Sequence, residues 1–103
     1  MLMLIKMASA QDLFSEQKSR QFADFLLKSG QFQSAANEFE RLTYINPNDD
    51  SLKFNLIKAY RLSNQIDLAH QKASLYYPDI TLMPYAIAIE YSKILMGQKK
   101  WDV

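Results

Sequence analysis

Residues of matching character return in this chain every 34 positions. Phe22 and Leu56, Leu26 and Tyr60, Gly30 and Asn64, Phe32 and Ile66, Ala35 and Ala69, and Phe39 and Ala73 are each 34 apart. Every one of these pairs is apolar, small or turn-forming. A third pass fits after one inserted residue, with Tyr91, Ser92, Leu95 and Trp101 lying 35 beyond Leu56, Ile57, Tyr60 and Ile66. A period of this length holds one supersecondary unit, so the core has to form between stacked units.

The residue types select helix for that unit. Thirteen leucines and eight isoleucines stand against two threonines and a single valine, Val103, so side chains that favour strands are scarce. The helical period predicts five segments. The first runs from Asp12, as N-cap, to Ser29, with Leu13, Phe14, Phe22, Phe25 and Leu26 on its apolar side and Gly30 as its stop. The second runs from Phe32 to Ile45 and ends at Asn46-Pro47-Asn48, because proline bars its predecessor from helix. Asp49 or Asp50 caps the third, whose buried stripe is Leu52, Leu56, Ile57 and Tyr60, and Asn64 breaks it. The fourth, from Ile66 to Tyr76, closes at Tyr77-Pro78-Asp79. Thr81 caps the fifth, which takes Pro84 into its first turn and continues to Met96. Small residues such as Ala23, Ala35 and Ala69 let paired helices approach, while Phe22, Leu26, Phe39, Leu56 and Tyr60 fill the layer between hairpins.

This spacing resembles the tetratricopeptide repeat, a helix-turn-helix unit of 34 residues. The family pattern falls on Ser19, Phe22, Ala23 and Leu26, then Ala35, Phe39 and Pro47 in the first repeat. In the second it falls on Lys53, Leu56, Ile57 and Tyr60, then Ala69 and Ala73. Gly30-Gln31-Phe32 looks like the interhelical turn of the family, and Ile45-Asn46-Pro47-Asn48 like its closing segment. Two features depart from it. Asn64 replaces the turn glycine, which asparagine can do in a left-handed conformation, and Pro78 arrives three residues earlier than the first repeat predicts, so the fourth helix should end short. The resemblance implies an all-α fold, a right-handed superhelical array (α-solenoid) of antiparallel helix hairpins. It divides residues 11–103 into two and a half units, 16–49, 50–84 and a partial 85–103.

What such a fold leaves available is the face of each first helix that the core does not use. Phe54, Lys58 and Arg61 share a stripe displaced from that of Leu56 and Tyr60. In the resembled family this stripe lines a concave groove that binds extended peptides. The corresponding positions are Gln17, Arg20, Asp24 and Leu27 in the first repeat and Ala86, Ile89, Lys93 and Met96 in the third, with Asn55 and Glu90 beside the line. The candidate protein-binding residues are therefore Arg20, Asp24, Phe54, Asn55, Lys58, Arg61 and Lys93. Their charges also fit a solvated helix face. Phe54, a large aromatic off the core stripe, is either covered by a neighbouring hairpin or offered to a partner. Some family members clamp a peptide's terminal carboxylate with Lys, Asn and Arg. Arg20 and Asn55 would suit that clamp, but Asp24, Ala86 and Glu90 would not, and two carboxylates facing a third would repel it.

Other classes find little support. Lys plus Arg 12 against Asp plus Glu 11 gives a formal charge of +1, and none of the five helices has a basic face for nucleic acid. Cys 0 removes disulfides and thiolate zinc sites, and the single His70 leaves no metal cluster. No Ser/His/Asp order, phosphate-cradling glycine loop or metal spacing occurs, so neither catalysis nor a cofactor is expected. No stretch is long enough to span a membrane.

The two ends carry expectations of their own. Ala8-Ser9-Ala10 has the small-x-small form of a signal-peptidase site, although Met1 to Ile5 is shorter than the roughly 7 to 15 apolar residues of an export signal. The Ser-Ala-Gln ending resembles exported proteins of the Bacteroidetes group. A truncated signal peptide over 1–10 and a periplasmic or exported location are expected, with a disordered or helical leader and a cytoplasmic location as the alternative. The fifth helix is very apolar, and terminal helices of such arrays need a wettable outer side. Self-association through Ile87, Ile94 and Leu95, or membership of a longer array, is therefore expected. The functional expectation is a non-catalytic module that binds a partner protein or peptide. Its alternative is a structural segment of a larger exported scaffold with no groove ligand.

Overall fold

The computed structural model describes residues 2–99, with side chains described for residues 15–98. It is all-α. Five α-helices follow in order, α1 Leu2–Lys28, α2 Phe32–Ile45, α3 Asp50–Leu62, α4 Ile66–Tyr76 and α5 Tyr85–Lys99, with a single 3-10 turn at Ile80–Leu82 before the last. Among the described residues there is no strand.

The turns between α1 and α2 and between α3 and α4 are built alike. Gly30 and Asn64 both adopt positive φ, at 83° and 66°, the left-handed conformation that ends a helix and that asparagine tolerates. The Gln31 amide donates to the Leu26 carbonyl and the Gln65 amide to the Tyr60 carbonyl, each at 2.9 Å. Ser29 and Ser63 turn their hydroxyls back onto the Leu26 and Tyr60 carbonyls, and the Gln31 and Gln65 side-chain amides donate to those same hydroxyls. Each of these bonds has its counterpart 34 residues on. The Ser-x-Gln frame around each turn is a signal that the apolar period alone overlooks.

Helix bounds agree with the pattern where Gly and Pro punctuate it. α4 stops at Tyr76 because Pro78 cuts it, which leaves 11 residues where α2 has 14. Asp49 caps α3, its carboxylate accepting from the Leu52 amide at 3.1 Å. Two expectations need correction. α1 begins at Leu2, so Asp12 lies inside the helix. No Gly or Pro stands between residues 2 and 12, and Met, Leu, Ala, Lys and Gln propagate helix readily. At the other end Asp79 is the residue that caps the 3-10 turn, accepting from the Thr81 amide at 3.0 Å. Pro84 holds Met83 extended, at φ −70° and ψ 129°. α5 therefore starts only at Tyr85 and runs past Met96 to Lys99.

Each helix packs on the next, and α3 also meets α5. The thinnest dimension is 18 Å in an envelope of 61 × 31 × 18 Å, the depth of two helices of about 10 Å each. Ala23, Ala35, Ala36, Ala59, Ala69 and Ala73 are wholly buried at these contacts, and Phe39, Leu42, Leu56 and Ile57 fill the space between them. Phe22 does not belong to this core. It is 52% exposed, and Phe25 is exposed beside it, whereas their counterparts Leu56 and Ala59 are buried. α3 is flanked by α2 and α4, but α1 packs chiefly on α2, which leaves its other flank facing out. The self-association residues need a similar correction. Ile87 and Ile94 are buried in this chain's own core, and of the three only Leu95, 43% exposed, is open. The leader reading falls on residues 1–10, whose side chains lie outside those described. The backbone of residues 2–10 continues α1. Trp101 lies outside the described residues.

Candidate functional site

The middle of the candidate stripe lies on α3. Phe54 is half-buried against the core, and the Lys58 ammonium sits 5.8 Å from the centre of its ring. Phe54 thus rests on the core while its lysine lid faces outward, a cation–π contact. Asn55 is half-buried next to it on the same helix.

Arg20, on α1, is engaged within the fold. Its guanidinium donates to Asp49 at 2.8 Å and to Glu16 at 3.1 Å. Partial burial works against its charge, but the Asp49 and Glu16 carboxylates outweigh this and raise its pKa. Asp49 answers in kind. Burial would push its pKa up, yet Arg20 and the Leu52 amide hold it below the ordinary carboxylate value. Arg20 therefore ties α1 to the residue that caps α3. Asp24 pairs with Lys28 one turn on, at 2.9 Å on the exposed surface.

Arg61 and Lys93 converge on a residue that the stripe placed only at its margin. Glu90, on α5, is 2% exposed. Arg61 reaches it from α3 with two hydrogen bonds of 3.1 Å, one to each carboxylate oxygen, and Lys93 stands 3.5 Å away. A buried carboxylate requires such partners. The bidentate fork is what guanidinium geometry suits best. Glu90 is consequently a neutralised strut between α3 and α5, and it cannot act as the repelling surface charge expected of it.

Charge is uneven along this face. Toward α5, Lys58, Arg61 and Lys93 face one carboxylate, Glu90, an excess of two positive charges. Toward α1, Arg20 and Lys28 are matched against Glu16, Asp24 and Asp49, an excess of one negative charge. The residues do not form one cluster. They form an acid-leaning group tied through Arg20 and a cationic group built around Glu90.

Elsewhere the polar groups serve as ties between helices. Glu40 on α2 accepts from the Tyr60 hydroxyl of α3 and from Lys72 of α4, the latter at 2.5 Å, and burial with the Glu40 carboxylate pushes the Tyr60 hydroxyl pKa well up. Lys53 lies over the rings of Tyr76 and Tyr77, 5.3 and 5.4 Å from their centres, and Tyr77 donates to Asp50. His70 stacks on Tyr91 with ring centres 5.5 Å apart, and its Nε2 is 3.2 Å from the tyrosine hydroxyl. The depression between the α3–α4 turn and the end of α5 holds one carboxylate, Asp67, engaged by Gln98 at 3.1 Å. Among the described residues no three His, Asp or Glu side chains are grouped to hold a metal, and no helix is long and apolar enough to cross a membrane.

Sequence reasoning missed Glu90 as the keystone, because its contact with Arg61 is tertiary and no spacing along the chain marks it. No protein-family model matches this chain, and neither the curated proteins nor the solved structures include a match.

Proposed function

We propose that this chain is a tetratricopeptide-repeat-like α-solenoid, a non-catalytic module that binds an extended, acidic protein segment along the concave face formed by α1, α3 and α5. The observation that carries the reading is the cationic group at α3 and α5. Glu90 is buried and already satisfied by Arg61, so Lys58 offers its charge beside the Phe54 ring and Lys93, half-exposed, beside Glu90. The two turns that repeat bond for bond 34 residues apart support the solenoid reading. An acidic segment would be steered to this end by charge and held by contact with Phe54, an attraction that salt screens.

The test titrates two extended peptides of equal length, one rich in Asp and Glu and the other rich in Lys, into isotopically labelled protein. The acidic peptide is expected to shift the resonances of Phe54, Lys58 and Lys93, and a Phe54→Ala, Lys58→Glu double variant is expected to lose the response. Equal response to both peptides, or to neither, overturns the reading.

A second reading is favoured by the exposed Phe22 and Phe25, an apolar flank of the kind a preceding hairpin covers. In it the chain is a structural segment of a larger exported scaffold, cleaved after Ala10. Mass spectrometry of the natural protein tests this, and a mature form retaining Met1 contradicts the export step.

A further inference from the structure

We propose that α5 is a dimerisation helix, and that it pairs antiparallel with α5 of a second copy about a two-fold axis between residues 90 and 91. The starting observation is a difference among equivalent positions. Ala23 and Leu26 on α1 are buried, and so are their counterparts Ile57 and Tyr60 on α3, yet Ser92 and Leu95, the corresponding residues of α5, are exposed. Around them Tyr85 (81% exposed), Ile89 and Met96 (58%) complete a stripe opposite the buried Ile87 and Ile94. The steps of four, three and four from Tyr85 through Ile89 and Ser92 to Met96 keep it on one helical face.

The stripe is complementary to itself when reversed, which a two-fold interface requires. About an axis between residues 90 and 91, Tyr85 meets Met96 of the second copy and Ile89 meets the second copy's Ser92, each contact occurring twice by symmetry. Large thus opposes small at two levels, so the helices can approach closely, and at each end a thioether lies against an aromatic ring, a favourable contact. Little charge opposes the pairing. The charged residues of α5 between Tyr85 and Gln98 are Glu90, turned inward onto Arg61, and Lys93 at the edge beside it. The four exposed apolar side chains Tyr85, Ile89, Leu95 and Met96 are far fewer than the roughly 20 to 30 residues a side of a standard interface. The dimer is therefore weak and depends on concentration.

Sedimentation and light scattering of the full chain over rising concentration are expected to show a monomer passing to a dimer and stopping there. Ile89→Lys sets two like charges near the axis and is expected to leave a monomer of unchanged helicity by circular dichroism. Because the chain has no cysteine, cross-linking gives a second readout that does not depend on that variant. Equal amounts of Tyr85→Cys and Met96→Cys chains, mixed and oxidised gently, are expected to give mainly the mixed disulfide, identified by mass. Two copies of residue 85 stand about 16 Å apart along the axis in this pairing, at 1.5 Å per residue. A monomer up to millimolar concentration, growth beyond the dimer, a dimer that persists in Ile89→Lys, or homodisulfides in excess would each overturn the proposal.

Discussion

The first hairpin, α1 with α2, and the second, α3 with α4, share a turn but differ in how each is tied to a later helix. Each sends an arginine to a carboxylate 29 residues further on. Arg20 of the first reaches Asp49, whose side chain is partly open to solvent and also caps α3. Arg61 of the second reaches Glu90, which is closed off and serves no cap. The same residue type, at positions that the 34-residue period does not relate, therefore does different work. Asp49 keeps water and a backbone amide as partners if Arg20 is lost, whereas Glu90 keeps only Lys93. The difference predicts that a salt bridge's importance derives from the burial of its carboxylate rather than from its length, since the more open pair is the shorter one.

The largest effect should come from breaking the buried tie. Arg61→Ala leaves Glu90 enclosed with one lysine at 3.5 Å, and loss of one partner of a buried pair costs about 3 kcal/mol or more. Chemical denaturation measures this. The double variant Arg61→Met, Glu90→Leu removes the stranded charge along with its partner and should recover most of the loss. If Arg20→Ala proves as costly as Arg61→Ala, the contrast between the hairpins fails.

The shared turn sharpens the comparison at a smaller scale. Gly30→Ala forces a Cβ into a backbone at φ 83° with no atom within 4 Å of it, so its cost of about 1 kcal/mol is conformational strain alone. Asn64→Gly should instead stabilise by a few tenths of a kcal/mol, since glycine carries less strain at φ 66°. Thermal unfolding of both variants checks the signs. Equal signs would mean that the two turns are not equivalent.

These particulars separate what the sequence could convey from what it could not. α2 was readable to its ends because Gly30 and Pro47 bracket it, and the short α4 because Pro78 moves its stop. The start of α1 was not, because a lone aspartate inside a good helix-forming run carries no stop signal for the residues before it. Periodicity places Phe22 in the core because it reports that a residue is apolar but not which flank of its helix lacks a neighbour. The candidate face was legible as a stripe of Phe54, Lys58 and Arg61. Its charge was not, because the reach of Arg20 and Arg61 across to other helices is a tertiary property that spacing along one helix does not encode.

The effect of the more open tie depends on pH. The pKa of Asp49 is held below its ordinary value in the folded chain, so its ionised form contributes stability that is present above the unfolded-state pKa and lost as pH falls through the folded one. Stability should therefore decline on acidification below about pH 4, the unfolded value for an aspartate. Asp49→Asn retains a side-chain oxygen to cap α3 but loses the charge that Arg20 uses, so its stability should fall less steeply over that range. Asp49→Ala loses the cap as well, about 1 kcal/mol at neutral pH. Denaturation midpoints of the three proteins from neutral pH to about pH 3 separate these contributions. If Asp49→Asn follows the same acid slope as the parent chain, Arg20 is only a surface neighbour of Asp49, and the first hairpin is joined to α3 by the cap and apolar packing alone.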